Sequence, residues 1–379
     1  MESSSVPGAG LATSMGPACS AGADARTDVL PFAFMTHSGE RRPGRFAAYA
    51  WAVLGYNILV ILWGAVVRAT GSGAGCGEHW PLCQGVVIPH AEQIATLIEF
   101  SHRASSGIDV LLVIGLVWMA FRRFGRGNAV RRYAATTGFF TLTEGLVGAA
   151  LVLFGDVGNN VSTGRVVILS IHLVNTFLLL AFLALTAWAA GKQLLPATPE
   201  SAVPSPVGRK GLWVAYGAGL LGAIVIAITG TIAALADTLF PARSLAEAFR
   251  WDFSGTSAPI LHLRIIHPVV AVMVGGYLLV LAVMMLSSPG PIAARRMARR
   301  LAGLVLLQFC FGAANIVLLT PVWMQVIHLL TADLIWIVLV LLAAEALGWQ
   351  TGNVSARLRP SPAAATAAGD GSVRHLPES

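Results

Sequence analysis

Charge is scarce in this chain. Only 11% of its 379 residues are Asp, Glu, Lys or Arg, against about 25% in an average soluble domain. With 56% apolar residues, such a polypeptide lacks the polar surface of a soluble protein and belongs in a bilayer; its mean hydropathy of +0.72 agrees. Cysteine is scarce too, and four in the whole chain exclude a disulfide scaffold. Aromatics reach only 8% while glycines number 40, a balance suited to helices that pack closely in lipid. The net charge of +7 is no argument for a nucleic-acid partner, because membrane proteins gather Lys and Arg in their cytoplasmic loops.

What is present is a series of long apolar runs. A helical span needs about 20 such residues, and eight runs qualify: roughly 47–68, 97–120, 133–154, 166–190, 212–235, 260–286, 300–320 and 324–347. The fold expected is an all-α integral membrane protein. Basic residues cluster in alternate connections: Arg41, Arg42 and Arg45, then Arg122 to Arg132, then Lys192, Arg209 and Lys210, then Arg295 to Arg300. The bias of Lys and Arg toward the inside places both termini in the cytoplasm of a multi-pass cell-membrane protein. Residues 1–45 and 349–379, rich in Gly, Ala, Ser and Pro, read as disordered cytoplasmic extensions. The first of these lacks the apolar core of a signal peptide.

The chain repeats itself. "ILSIHLVNTFLLLAFL" (168–183) resembles "MQVIHLLTADLIWIVL" (324–339), and "LTEGLVGAALVL" (142–153) lies beside "LLQFCFGAANIVLL" (306–319). "FSHRASSGIDVLLVIGL" (100–116) can be laid beside "RIIHPVVAVMVGGYLLV" (264–280). Each unit holds an even number of spans, so both face the same way. The expectation is two pseudo-symmetric four-helix bundles, 46–191 and 212–348, joined by a cytoplasmic linker at 192–211.

Each even-numbered span carries a histidine near its outer end: His102, His172, His267 and His328. One such histidine would be an ordinary interfacial residue. Four at matched depth, paired by the repeat, point to a ligand, since ionisable groups within spans are costly and functional by default. Two imidazoles facing across a bundle suit haem, a flat apolar macrocycle whose iron takes axial histidines. Zinc is a poorer match, because a structural site wants four ligands near one point. Two haem pockets are therefore expected, His102 with His172 and His267 with His328. Arg68, Arg103 and Arg264 run against the charge bias and are candidate partners for haem propionates, with interfacial snorkelling as the plain alternative.

The repeat breaks at Glu99. Three residues before His267 stands Arg264, so only the first half has a carboxylate beside its histidine. An electron carrier has no need of that acid, whereas a catalytic pocket has, for moving a proton or stabilising developing positive charge. The plain alternative is an i,i+4 ion pair with Arg103. Cys76 and Cys83 share an outer loop without the spacing of covalent haem attachment; they could be a structural disulfide or a redox pair. Asp109, Glu144 and Asp333 are further polar residues within spans, as proton-path groups or packed against hydroxyls. His79, His90 and His262 are expected to be solvated.

"NILVILWGAVVRATGSGAGCGEHWPLCQGVVIP", "LIEFSHR" and the three later span-start histidines together resemble the haem A synthase family over about residues 47–347. The resemblance implies an oxidoreductase that converts the C8 methyl of haem O to a formyl group, giving haem A for terminal oxidases. It implies substrate haem at His102 and His172, the essential acid at Glu99, a haem b cofactor at His267 and His328, and an outer-loop cysteine pair at Cys76 and Cys83. Haem O synthase is the implied supplier, with the electron donor and any homo-oligomer left open. Two departures stand out: Glu144 replaces a usual glutamine, and the second half lacks the cysteine pair of some members. The rival readings are a di-haem b-type cytochrome without substrate chemistry and, more remotely, a transporter.

Overall fold

A computed structural model describes residues 44–90, 93–193, 208–288 and 291–348. The expected terminal extensions and most of the linker fall outside these. Ten α-helices follow one another: α1 Arg45–Ala69, α2 Ile94–Arg123, α3 Ala129–Leu153, α4 Thr163–Lys192, α5 Gly208–Leu239, α6 Leu245–Phe253, α7 Pro259–Arg264, α8 Ile266–Ser287, α9 Ile292–Val317 and α10 Val322–Leu347. Eight spans among the described residues are long and apolar enough to cross a membrane, α7 and α8 together making one of them. The chain is thus an all-helical multi-pass membrane protein; an isolated bridge between Cys83 and Val86 is the one β pairing among the described residues.

The sequence dictates several boundaries directly. The Asn128 side chain accepts from Val130 N–H at the start of α3, and Ser162 Oγ accepts from Arg165 N–H at the start of α4; such caps satisfy backbone donors that a helix start leaves without partners. The sixth span bends between α7 and α8. Pro268 lies four residues after Arg264, so its ring crowds the Arg264 carbonyl and it offers no N–H to it. Ile265 keeps helical dihedrals, φ −64° and ψ −26°, which makes the feature a bend and not a break.

Two differences from the expected spans have physical causes. Helix α9 begins at Ile292, eight residues before the apolar run, because "AARRMARR" is made of strong helix formers although it is not apolar. The short helix α6 was not foreseen. Its start carries a readable signal, Ser244-x-x-Glu247, in which Ser244 Oγ accepts from Glu247 N–H and Glu247 Oε2 accepts from Arg243 N–H.

In sequence order α1 packs on α2, α2 on α3 and α3 on α4, with α1 also against α4; likewise α5 packs on α8, α8 on α9 and α9 on α10, with α5 also against α10. The two sets meet through α1, α4, α5 and α10. That meeting surface holds the best-buried side chains, from Leu179 to Ala190 on α4 and from Ile335 to Ala344 on α10. Phe177 stacks on Trp336 with centroids 5.0 Å apart, and Trp336 Nε1 donates to the Phe177 carbonyl at 2.6 Å. Near the arginine-rich end, Glu345 accepts from Lys192 Nζ and from Trp188 Nε1 at 2.9 Å. Polar ties of this kind matter in lipid, where apolar burial alone does not drive helices together.

Candidate functional site

The four histidines share one local construction. Each faces a glycine on the span before it. A Cβ built on Gly64 of α1 would lie 3.0 Å from His102 Cε1, one on Gly230 of α5 3.0 Å from His267 Cε1, one on Gly312 of α9 3.4 Å from His328 Cε1, and one on Gly148 of α3 3.8 Å from His172 Cε1. At Gly64 and Gly230 the missing side chain is what gives the ring its room, whereas at Gly312 and Gly148 a Cβ would meet the ring at ordinary contact distance.

The rings of His267 and His328 face each other with centroids 6.4 Å apart and planes at 84°. Two metal–nitrogen bonds of about 2 Å, plus about 1 Å from each ring centre to its edge nitrogen, add to about 6 Å. The gap therefore fits one iron atom between them. The Nδ1 atoms of His102, His172 and His328 are buried without a hydrogen-bond partner among the described residues, an expensive state for a ring that serves only structure. Among the described residues no three His, Cys, Asp or Glu side chains converge on a bare-ion site. Imidazoles in pairs suit the two axial positions of a haem iron better than the four-ligand site of a structural zinc.

The ends of the spans differ between the halves, and Glu99 marks the difference. Its carboxylate is 3% exposed. Oε2 accepts from Cys76 N–H at 2.7 Å, and Oε1 accepts from Arg103 Nη2 at 2.5 Å. Arg103 Nη1 in turn donates to the carbonyls of His79 and Leu82 at 2.6 and 2.7 Å. The Cys76–Cys83 disulfide is formed and closes this loop, and Thr96 Oγ1 donates to the Gly75 carbonyl at 2.8 Å. Glu99 and Arg103 thus make the ion pair that was the plain alternative for Glu99, and the pair also holds the disulfide loop onto α2. In the second half the same end is covered by α6. There Arg264 donates to Asp237 at 2.7 Å and, twice, to Asp252 at 3.0 and 2.5 Å. An acid grips a loop in one half; an arginine grips a helix in the other.

Arg68 reaches across between the halves. It donates to the Ala234 carbonyl at 2.8 Å, to Thr238 Oγ1 at 3.0 Å and to Gln325 Oε1 at 2.8 Å. The three expected propionate partners are therefore all engaged with protein groups. His79 and His90 are exposed as expected. His262 is not: it is half-buried with Nδ1 2.7 Å from the Asp252 carbonyl, because α6 folds over it. Asp333 is fully buried with both carboxyl oxygens unpartnered among the described residues, which removes the hydroxyl partner considered for it.

A polar floor under the first pair was only partly foreseen. Asp109 accepts from Asn57 Nδ2 at 2.7 Å, across α1 and α2. Asn175 Nδ2 donates to Glu144 at 2.5 Å, and Thr176 Oγ1 also donates to Glu144. The acids were legible as polar residues within spans. Asn57, Asn175 and Thr176 are uncharged, and only the fold shows what they hold.

The chain is 47% identical over 305 residues to a protoheme IX farnesyltransferase of Thermus thermophilus, covering 80% of this chain and 48% of that protein. It is 44% identical over 99 residues to a heme A synthase of Shouchella clausii, and 42% over 105 residues to one of Staphylococcus carnosus. Those matches cover 26% and 28% of this chain and 33% and 32% of the relatives. The chain thus spans about half the length of the Thermus relative and a third of the other two. The family model described as cytochrome oxidase assembly protein, COX15-CtaA, matches residues 47–340, through all eight spans and all four histidines, and the chain belongs to that family.

Proposed function

We propose that the protein is a haem A synthase, which oxidises the C8 methyl of haem O to a formyl group. The observation that carries this reading is the set of four glycine-backed histidines with acids, Glu99 near His102 and Glu144 near His172, in the first half alone. Residues 46–191 would form the substrate half, with haem O held by His102 and His172. Residues 212–348 would form the cofactor half, with haem b held by His267 and His328. Both termini would lie in the cytoplasm, with the disulfide loop outside. Relatives named heme A synthase and one named for protohaem farnesylation support a place in this chemistry. The second name also favours haem O synthase as the supplier of substrate.

Bound haem b would supply one-electron chemistry that side chains lack. The protein's own part is positional. Gly64 leaves room for the His102 ring. Glu99 sits one helical turn from His102 toward the disulfide loop. Among the described residues each of its oxygens accepts one hydrogen bond, and a carboxylate has about four lone-pair directions. It can therefore still accept a proton or hold a water at the oxidised carbon. Arg103 keeps it aimed, and the disulfide loop covers it. Arg68, Arg103 and Arg264 would serve propionates by sharing donors now given to protein.

The test is co-expression with haem O synthase, followed by chromatography of the extracted haems. Haem A or its hydroxylated precursor is the expected product; haem O unchanged, in a protein with both pockets filled, would make it an electron carrier instead. A Glu99→Ala protein that fills both pockets and makes haem A at the normal rate would remove Glu99 from the chemistry.

A further inference from the structure

The repeat contains its own control for a second acidic residue. Aligned by Gly148 with Gly312 in the third spans and by His172 with His328 in the fourth, the first half sets Thr143, Glu144, Asn175 and Thr176 against Leu307, Gln308, Thr331 and Ala332 of the second. The first set is wired together. Thr143 Oγ1 donates to Asn175 Oδ1 at 2.6 Å, Asn175 Nδ2 donates to Glu144 Oε2 at 2.5 Å and to the Phe140 carbonyl at 2.9 Å, and Thr176 Oγ1 donates to Glu144 Oε1. Leu307 and Ala332 have no side-chain group that could do the same. Four positions differ together, and three of them serve the fourth.

What they hold Glu144 against is His172. Glu144 Oε1 lies 3.6 Å from His172 Nδ1, and that nitrogen is buried without a hydrogen-bond partner. Gln308 meets its histidine differently: its Nε2 is 3.2 Å from His328 Nε2 and donates to the His328 carbonyl at 3.2 Å. His267 Nδ1 faces the Thr229 hydroxyl at 3.2 Å. Among the four, His172 has the only carboxylate recorded at ion-pair range within the described residues. A metal-bound imidazole donates its second ring N–H, and a carboxylate there fixes the tautomer and raises the ligand's basicity.

Building on the haem-binding reading above, we propose that Glu144 is a positioning residue that accepts the Nδ1–H of His172, aims Nε2 at the iron and makes this ligand more electron-donating than its three counterparts. The consequence is a built-in difference between the pockets. A more basic axial ligand stabilises ferric over ferrous iron, so the first pocket's iron is the harder of the two to reduce. The amide of Gln308 cannot offer the same charge in the second half.

The test uses the full chain reconstituted with haemin and titrated spectroelectrochemically, each transition being assigned through the His102→Ala and His267→Ala variants. Glu144→Gln should raise the midpoint of the His102/His172 transition by about 59 mV, about tenfold in the ferric-to-ferrous ratio at fixed poise. The other transition should stay in place. An unmoved first transition in a haemin-loaded Glu144→Gln protein overturns the proposal. Should that variant take up no haemin, Asn175→Thr with Thr176→Ala decides, since it keeps the carboxylate and removes its holders. A rise in the same direction upholds the role; an unmoved midpoint, or loss of haemin here too, reduces Glu144 to packing. If no transition of the parent protein responds to His102→Ala, the haem-binding reading itself fails, a result separate from all of these.

Discussion

A single methyl group is enough to probe the histidine sockets. Gly64→Ala would put a Cβ 3.0 Å from His102 Cε1, whereas Gly148→Ala would put one 3.8 Å from His172 Cε1, an ordinary contact. The first substitution must push its ring aside, and overpacking of this kind costs about 1–3 kcal/mol. Haemin titration of the two variants should show Gly64→Ala binding at least about tenfold more weakly at the first pocket, which is about 1.4 kcal/mol. Gly148→Ala should bind like the parent. Equal affinities would mean the rings are not held where the helices place them. Glycine was visible in the sequence as an abundance; which glycines matter was not, because a socket needs two helices to define it.

At the scale of the element, the segment that sets the first half apart is the disulfide loop. A Cβ on Gly75 would fall 2.5 Å from the Ala95 carbonyl carbon, and backbone cannot step aside as a side chain can. Gly75→Ala should therefore lift the loop from α2, break the Cys76 N–H bond to Glu99 and expose Arg103. Limited proteolysis should then cut between Cys76 and Cys83 sooner than in the parent; an unchanged cleavage rate would show that the loop is not seated by this contact. Ser244→Ala, at the start of α6, should cost about 1 kcal/mol of helix stability, read as faster amide exchange over Leu245–Phe253. The spans, the histidines, Glu99 and the repeat were all legible in the sequence, since apolar length and spacing survive without knowledge of the fold. Helix α6 was signalled only by a capping pattern within a polar connection. The engagement of Arg264 with Asp237 and Asp252 needed α5, α6 and α7 to be brought together first.

For the whole molecule, the question is what keeps the two sets of helices registered. At the arginine-rich end the tie is Glu345 with Lys192 and Trp188; in the middle it is Phe177 on Trp336; at the disulfide end it is Arg68. Hydrogen bonds to a charged group contribute about 1.5–3 kcal/mol, and Arg68 makes three across the boundary. Arg68→Ala should lower the thermal midpoint of the detergent-solubilised protein by several degrees, while Lys192→Ala, at the rim, should move it less. The reverse order would place the anchor at the other end.

The glycine-backed histidine recurs in α1 with α2, α3 with α4, α5 with α8 and α9 with α10. The motif's period is thus a helical hairpin, half the length of the sequence repeat. Seen this way, the protein is a single-chain tetramer of one small module, with a floor of its own added to some copies and not to others. Chemistry then becomes a matter of decoration. A hairpin transplanted from one half to the other should carry its ligand socket with it and leave its acids behind.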